Sequence, residues 1–180
     1  MFEELSPPYA TIVADPPWKV LQPPDDFRTK RGHSPLPYDT MSIAEISEMP
    51  VESLAADYAH LYLWTINKYI PDAYRIVEAW GFTPRMLLTW CKKPMGQGPG
   101  REYASITEFI LMAKRGTGPR LPIARVDRNW WEWKRGVHSA KPSAFMDIVE
   151  TVSPGPYCEL FARSSRLGWD GWGDGYEHAT

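Results

Sequence analysis

The chain has 180 residues, of which 43% are hydrophobic and 23% charged, with a formal net charge of −2, a balance that excludes a disordered or membrane-embedded polymer and fits a globular one. That length suits one domain over residues 1–180 with a real core and little room for a separate recognition module. No apolar run reaches bilayer length, and the start Met1-Phe2-Glu3-Glu4 lacks the basic-then-apolar layout of a secretory signal, so a cytoplasmic setting is expected.

Tyr9 to Ala14 is an apolar run that reads as a strand, and Asp15-Pro16-Pro17-Trp18 follows it directly. Proline fixes its own φ, lacks an N–H and pushes the residue before it into extended geometry, so Asp15 is held at the strand tip. The elbow then offers a carboxylate, the Pro16 carbonyl and an indole face, a set that suits a planar base bearing an amino group. Asp-Pro by itself is also an ordinary turn signal, and a Trp after it can simply cap the core.

The Pro-rich, charged stretch through Pro37 has no periodicity and reads as a long loop. Ser42 with Glu45 makes a capping box that opens a short helix ending before Pro50. A second short helix is predicted near Val51 to Ala56, then a strand over His60 to Thr65 that is buried on both faces. Pro71 starts a helix with Ala73, Ile76, Val77 and Trp80 on its apolar side and Gly81 as its stop.

Phe82 to Cys91 and Ile106 to Ala113 are the next strands, separated by the turn-rich Lys93 to Gly100. Lys141-Pro142 begins a helix with Phe145, Ile148, Val149 and Val152 facing inward, and Pro154-Gly155 ends it. Tyr157 to Phe161 and Gly168 to Trp172 close the series. Strands alternating with helices predict an α/β fold, a mostly parallel sheet with helices on both faces. Ligands in such sheets sit at the carboxyl ends of the strands, where Asp15, Thr65, Phe161 and Trp172 all fall. Cys91 and Cys158 sit in apolar stretches without metal-ligand spacing, so buried reduced thiols are expected and no metal site.

Charge is unevenly spread. Lys114 to Arg135 holds seven Lys or Arg against two acids, and Lys19 to His33 four against two. The two segments carry +5 and +2, which leaves −9 for the rest of a chain of net −2. Each could be a solvated face; together, beside an aromatic elbow, they read as phosphate contacts. Trp130, Trp131 and Trp133, interleaved with Arg128, Lys134 and Arg135, form either a stacking platform for nucleic acid or part of the core.

The elbow resembles the catalytic motif of the MT-A70 family of adenine N6-methyltransferases; enzymes acting on cytosine N4 usually carry Ser in place of the Asp, and other adenine N6 enzymes usually end in Tyr or Phe. The resemblance extends in family order through Pro37 to Met41, Leu61 to Trp64, His138-Ser139 with Lys141-Pro142, and Glu159 to Arg163. It implies a Rossmann-like S-adenosylmethionine-dependent methyltransferase fold in circularly permuted motif order, the elbow preceding the cofactor strand. Asp15, Pro16, Pro17 and Trp18 would be catalytic, with Asp15 also touching the cofactor's amino group and Trp18 stacking on the base. Lys141, Glu159, Arg163, Ser165, Arg166, Gly173 and Asp174 would line the cofactor pocket. In it Lys141 would meet the carboxylate and Asp174 the ribose hydroxyls, although Glu159 and Arg163 could instead form a surface ion pair worth about 0–1 kcal/mol.

Tyr38 and Ser139 lie on what resemble the two loops that close over the active site, and they join Arg125, Arg128, Trp130 and Arg135 as substrate-binding candidates. Three differences stand out: Ser165-Arg166 where relatives often carry His-Asn, no His before Ile106, and few residues ahead of the elbow, so that a strand that often contacts the cofactor's adenine is missing. The expected reaction is methylation of adenine N6 in DNA, with RNA as the alternative. A non-catalytic nucleic-acid-binding partner subunit and a small-molecule methyltransferase are the competing readings. The expected partners are nucleic acid and, given the small surface, a second copy or a partner subunit.

Overall fold

The run Tyr9–Ala14 does form a strand, β1, and its near-total burial makes it the centre of the architecture. The computed structural model describes residues 1–19, 39–93, 102–118, 124–136, 140–174 and 176. After β1 come β2 (Ala55–Thr65), β3 (Thr83–Lys93), β4 (Thr107–Arg115), β5 (Trp130–Lys134), β6 (Tyr157–Leu160) and β7 (Trp169–Trp172). They make one sheet in the order β5-β3-β4-β2-β1-β6-β7. Every pairing is parallel except those of β4, which runs antiparallel to both β2 and β3.

Among the described residues three α-helices cover the sheet from two sides: α1 (Ile43–Ser47), α2 (Ile70–Ala79) and α3 (Ser143–Val152). Ile46 of α1 and Ala73, Ile76 and Val77 of α2 share a core with Ile12, Ala14, Leu61 and Leu63. Phe145, Met146 and Val149 of α3 pack with Val13, Tyr62 and Trp64 on the opposite face. This is the alternation of side chains along β1 and β2 made visible: successive residues serve opposite layers. The α/β class and the two-sided cover agree with the sequence reading.

The local signals work where chemistry is specific. Ser42 accepts from the Glu45 N–H at 3.2 Å and Glu45 reaches back to the Ser42 N–H at 2.7 Å, a complete capping box. Gly81 adopts φ +81°, the left-handed conformation that ends α2. Elsewhere boundaries move. The second helix reduces to a 3-10 turn over Val51–Leu54, because Ala55 to Tyr58 join β2. On α3, Met146 is buried while Ile148 and Val152 are half-buried. The basic segment taken as loop contains β5, and Trp131 and Trp133 stack at 5.4 Å and pack against the α3-side core, leaving Trp130 exposed. The long loop after the elbow and the turn near Gly96 lie outside the described residues.

The chain leaves β1 toward β2 on one side and leaves β6 toward β7 on the other, so the order reverses between β1 and β6. That reversal opens the crevice where ligands bind in sheets of this kind.

At the opposite end of β2 a polar network is buried against α3. His60 Nδ1 is 2.7 Å from Ser153 Oγ, His60 Nε2 is 2.9 Å from Tyr58 Oη, and Tyr62 Oη is 2.7 Å from Ser153 Oγ. Burial, helped by the Lys114 ammonium opposite it on β4, pushes the His60 pKa down to about 4. The unfolded chain, with His60 near 6.5, therefore takes up the proton first as pH falls. Stability from this group is full above about pH 6.5 and is lost progressively toward pH 4, by up to about 3 kcal/mol. Urea melts between pH 7 and pH 4 should show this slope, and His60→Gln should flatten it; a slope unchanged in the variant assigns the acid sensitivity to the carboxylates.

Candidate active site

The elbow sits at the point where strand order reverses. The Asp15 N–H reaches the Leu160 carbonyl of β6 at 3.4 Å, which ties the tip of β1 to its neighbour. The Trp18 N–H donates to the Pro16 carbonyl at 2.8 Å and the Met41 N–H to the Pro17 carbonyl at 2.9 Å. Residues around Met41 thus return to brace the turn. The Pro16 carbonyl is accordingly not free, although a carbonyl has a second lone pair for another donor.

Trp18 departs further from expectation. It is only 6% exposed, its indole N–H donates to the Trp64 carbonyl at 3.0 Å, and its ring stacks on Tyr69 at 5.1 Å. Its ring and its donor are committed to the α2-side core. It anchors the elbow; it does not present an open face to a base. What leaves the elbow for the crevice is Asp15, whose side chain retains 19% exposure.

Lys141, just ahead of α3, places its ammonium 2.6 Å from Asp15 Oδ2, 3.5 Å from Glu108 Oε2 and 5.2 Å from the centre of the Trp64 ring. Lys92 in turn pairs with Glu108. The result is an alternating row, Asp15, Lys141, Glu108, Lys92, running across four segments of the chain. Burial alone would discharge Lys141, but the carboxylates of Asp15 and Glu108 hold its pKa above the ordinary lysine value. Glu159 at the end of β6 is a different case. Burial first, and then the Asp15 charge, push its carboxyl up to about 7 against the pull of Arg166 and Lys141.

Two cavities open on either side of Asp15. One of about 270 Å³ is lined by Asp15, Trp64, Lys141, Glu159, Phe161, Arg163, Ser165 and Arg166 together with the start of α3. The other, about 440 Å³, is lined by Asp15, Pro17, Asp39, Met41, Phe161, Arg163, Trp172 and Asp174. They share Asp15, Phe161 and Arg163. Phe161 has φ +65°, a strained conformation for a bulky residue and the kind that concentrates at functional sites. A third, smaller cavity of about 260 Å³ lies beyond Glu108, between Trp90, Lys92, Arg135 and Ala140.

The structure therefore gathers most of the predicted residues. Asp15, Lys141, Glu159, Arg163, Ser165, Arg166 and Asp174 line the two main cavities, and Arg135 lines the third. Arg166 spends its guanidinium on Asp147 at 2.6 Å and Glu150 at 2.8 Å of α3, so its charge is already matched. Gly173 acts through shape: a Cβ there would come within 2.2 Å of the Ala162 carbonyl oxygen, and only glycine lets the end of β7 close on β6. Trp130 and Arg128 are exposed on and beside the edge strand, with Arg128 paired to Asp127; Arg125 is exposed as well. Thr65 is buried and lines none of these cavities. Tyr38 and Ser139 lie outside the described residues.

Glu108 is the residue that sequence reasoning missed. It stands at the start of β4, and only the antiparallel direction of that strand brings it beside the carboxyl ends of β1 and β2. The one available signal was a carboxylate just inside an apolar strand, which is costly unless something pairs with it.

An open, mostly parallel sheet with a carboxylate elbow at its switch point, and paired cavities bearing acids and a buried cation, has the layout of an α/β ligand-binding enzyme. The MT-A70 family model matches residues 9–175, and the chain belongs to that family, whose methyltransferases depend on S-adenosylmethionine. It is 32% identical to the type II methyltransferase M.MunI of Mycoplasma sp, over 92% of this chain and 76% of that protein. It is 28% identical to the N6-methyladenosine RNA methyltransferase MTA1 of Cryphonectria parasitica, over 96% of this chain and 53% of that protein. To the N(6)-adenine-specific methyltransferase METTL4 of Mus musculus the identity is 24%, over 92% of this chain and 37% of that protein. The chain thus spans about three quarters of one of these relatives and about half or less of the others.

The origin of the Glu159 shift is open to direct measurement. Asp15→Asn should lower the Glu159 pKa from about 7, and Lys141→Met should raise it, both followed by carbon-13 titration of the carboxyl resonances. If neither variant moves it, burial alone sets the value and the charges do not communicate.

Proposed function

We propose that this chain is a single-domain S-adenosylmethionine-dependent methyltransferase acting on the N6 amino group of adenine in DNA. The observation that carries the reading is that Asp15 lies at the junction of the two main cavities, in contact with Lys141 on one side. The residues present suit the cofactor. Lys141 and Glu159 supply a cation and an acid for the carboxylate and ammonium of its methionine end, and Asp174 supplies an acceptor for ribose hydroxyls. When bound, the cofactor provides a methyl group activated on a sulfonium.

An exocyclic adenine nitrogen is a weak nucleophile because its lone pair is delocalised into the ring. Asp15 has oxygen lone pairs beyond the one that accepts from Lys141, and the Pro16 carbonyl has one beyond that used by Trp18. Accepting the two amino hydrogens there draws the nitrogen toward tetrahedral geometry and aims its lone pair at the methyl carbon. A methyl delivered along that line would replace one amino proton, which would leave through the Asp15 hydrogen bond to solvent. Lys141 holds Asp15 in place, so catalysis rests on positioning and on charge set before reaction. With Trp18 in the core, a base entering from a duplex at a cost of a few kcal/mol is held by the walls around Asp15 instead.

DNA is favoured over RNA because the relative with the highest identity among those compared, and the one most fully spanned, is a type II methyltransferase rather than one of the RNA methyltransferases. Arg125, Arg128, Arg135 and the exposed Trp130 form the rim that would meet the phosphates and unstacked bases. No helix among the described residues is long and apolar enough to cross a membrane, and a cytoplasmic setting is part of the proposal. A second copy of the chain, or a partner subunit, would extend the grip on nucleic acid.

Incubation with labelled cofactor and matched DNA and RNA pools, followed by mass analysis of the released nucleosides, should yield N6-methyldeoxyadenosine. Asp15→Ala should lower transfer by about 10²–10³-fold or more with the circular dichroism spectrum unchanged; near-normal turnover in that variant would eliminate the clamp. Changing Arg125, Arg128 and Arg135 together to Gln should weaken DNA binding and reduce the slope of log K against log salt by up to about 0.9 per lost phosphate contact. An unaltered slope would mean that this rim does not touch the backbone.

A further inference from the structure

The cavity of about 260 Å³ beyond Glu108 opens at the same end of the sheet as the crevice around Asp15. β3 and β5 run parallel and bring Lys92 and, just past the end of β5, Arg135 to that end, while antiparallel β4 brings Glu108 there at its start. Ala140 lines this cavity and also the one of about 270 Å³ beside Asp15, and the next residue, Lys141, meets Glu108 at 3.5 Å. A single layer of side chains thus divides the two. The outer wall is fixed by hydrogen bonds between β3 and β5. The Trp90 indole N–H donates to the Trp133 carbonyl at 3.1 Å, and the Arg135 N–H donates to the Lys93 carbonyl at 3.0 Å.

The charges in the lining select the ligand. Glu108 faces two ammoniums, pairing with Lys92 and reaching Lys141 as well. Arg135 is exposed and enters none of the ion pairs formed among the described residues. With one acid against two cations a positive surplus remains, and a guanidinium fork beside a lysine is a donor set that suits a phosphate. A base would find little to stack on, because the aromatic wall, Trp90, is 3% exposed and has the Lys92 ammonium 5.3 Å from its ring centre. We propose that this cavity seats a backbone phosphate adjoining the target nucleotide, with Arg135 and Lys92 donating to its oxygens while Glu108 keeps Lys141. The inference rests on the DNA methyltransferase reading above and gives it a register. A phosphate held beyond Glu108 carries no sequence information, but it fixes which base can reach Asp15.

Random DNA pools synthesised with a neutral methylphosphonate linkage either just before or just after every adenine test this whatever the recognition sequence. The wild-type protein should methylate at least one of the modified pools about ten-fold to a hundred-fold more slowly than the ordinary pool. Arg135→Gln and Lys92→Gln should be slow on the ordinary pool and nearly indifferent to the replacement, since one contact cannot be lost twice. Lys92→Arg, which keeps the cation, should retain the wild-type discrimination, and thermal melts show whether a Gln variant has merely loosened. Equal wild-type rates on all the pools would overturn the phosphate seat. So would a wild-type penalty that persists undiminished in both Gln variants, because the contact would then lie elsewhere. In either case the methyltransferase reading survives, the ordinary pool having been methylated. If the wild-type protein methylates neither the ordinary DNA pool nor a matched RNA pool, that reading is lost as well.

Discussion

The contact between the Lys141 ammonium and the Asp15 carboxylate, 2.6 Å long and largely screened from water, is the interaction on which the rest of the site depends. Asp15, Glu108 and Glu159 approach one another from the ends of three strands, and a cation among them offsets the repulsion of their like charges. Lys141 serves Asp15 and Glu108 directly, and Lys92 takes the other side of Glu108. Glu159, which touches neither lysine in this arrangement, is the one whose pKa climbs to about 7. The division is chemical as well as electrostatic. Asp15 already holds a cation against its carboxylate, whereas Glu159 is poised to respond to one placed beside it.

How much of this was legible in the chain follows from what each signal reports. The capping box, the glycine stop of α2 and the apolar runs of β1 and β6 are local, and each appears where its residues put it. The elbow was legible because proline acts on its own backbone and on the residue before it. The direction of β4 is not local. A run such as Thr107 to Arg115 has the same periodicity whichever way it enters the sheet, so nothing in it announced that Glu108 would arrive at the carboxyl ends of β1 and β2. The same limit hid β5, whose five residues alternate half-buried and exposed amid charges and resemble a solvated loop.

The tryptophans show why residue type alone could not assign roles. Trp18, in the motif that suggested base stacking, has its donor on the Trp64 carbonyl and its ring on Tyr69. Trp131 and Trp133, in the segment that suggested a platform, stack on each other and pack on the core, and the Trp90 indole donates to the Trp133 carbonyl at 3.1 Å. Trp130, one residue away, stands on the other side of the same strand at 53% exposure. Indoles that can meet a ligand are those at an edge or beside an uncovered face, and edges are a property of sheet order, which the sequence does not spell out.

Charge is sorted by depth in a way that bears on selectivity. The cavities around the elbow carry Asp15, Asp39, Asp174 and Glu159, with Arg163 and Lys141 among them, while Arg125, Arg128 and Arg135 occupy the exposed strand edge and its approaches. A polyanion drawn to the rim meets carboxylates as it moves inward, so its phosphates are repelled from the crevice and an uncharged base is the only part of it that enters at low cost. The cofactor has the opposite character, since its sulfonium and ammonium are cationic and suit an acidic pocket. Basic groups thus stand outside and carboxylates within, with Asp15 at the junction of the two main cavities.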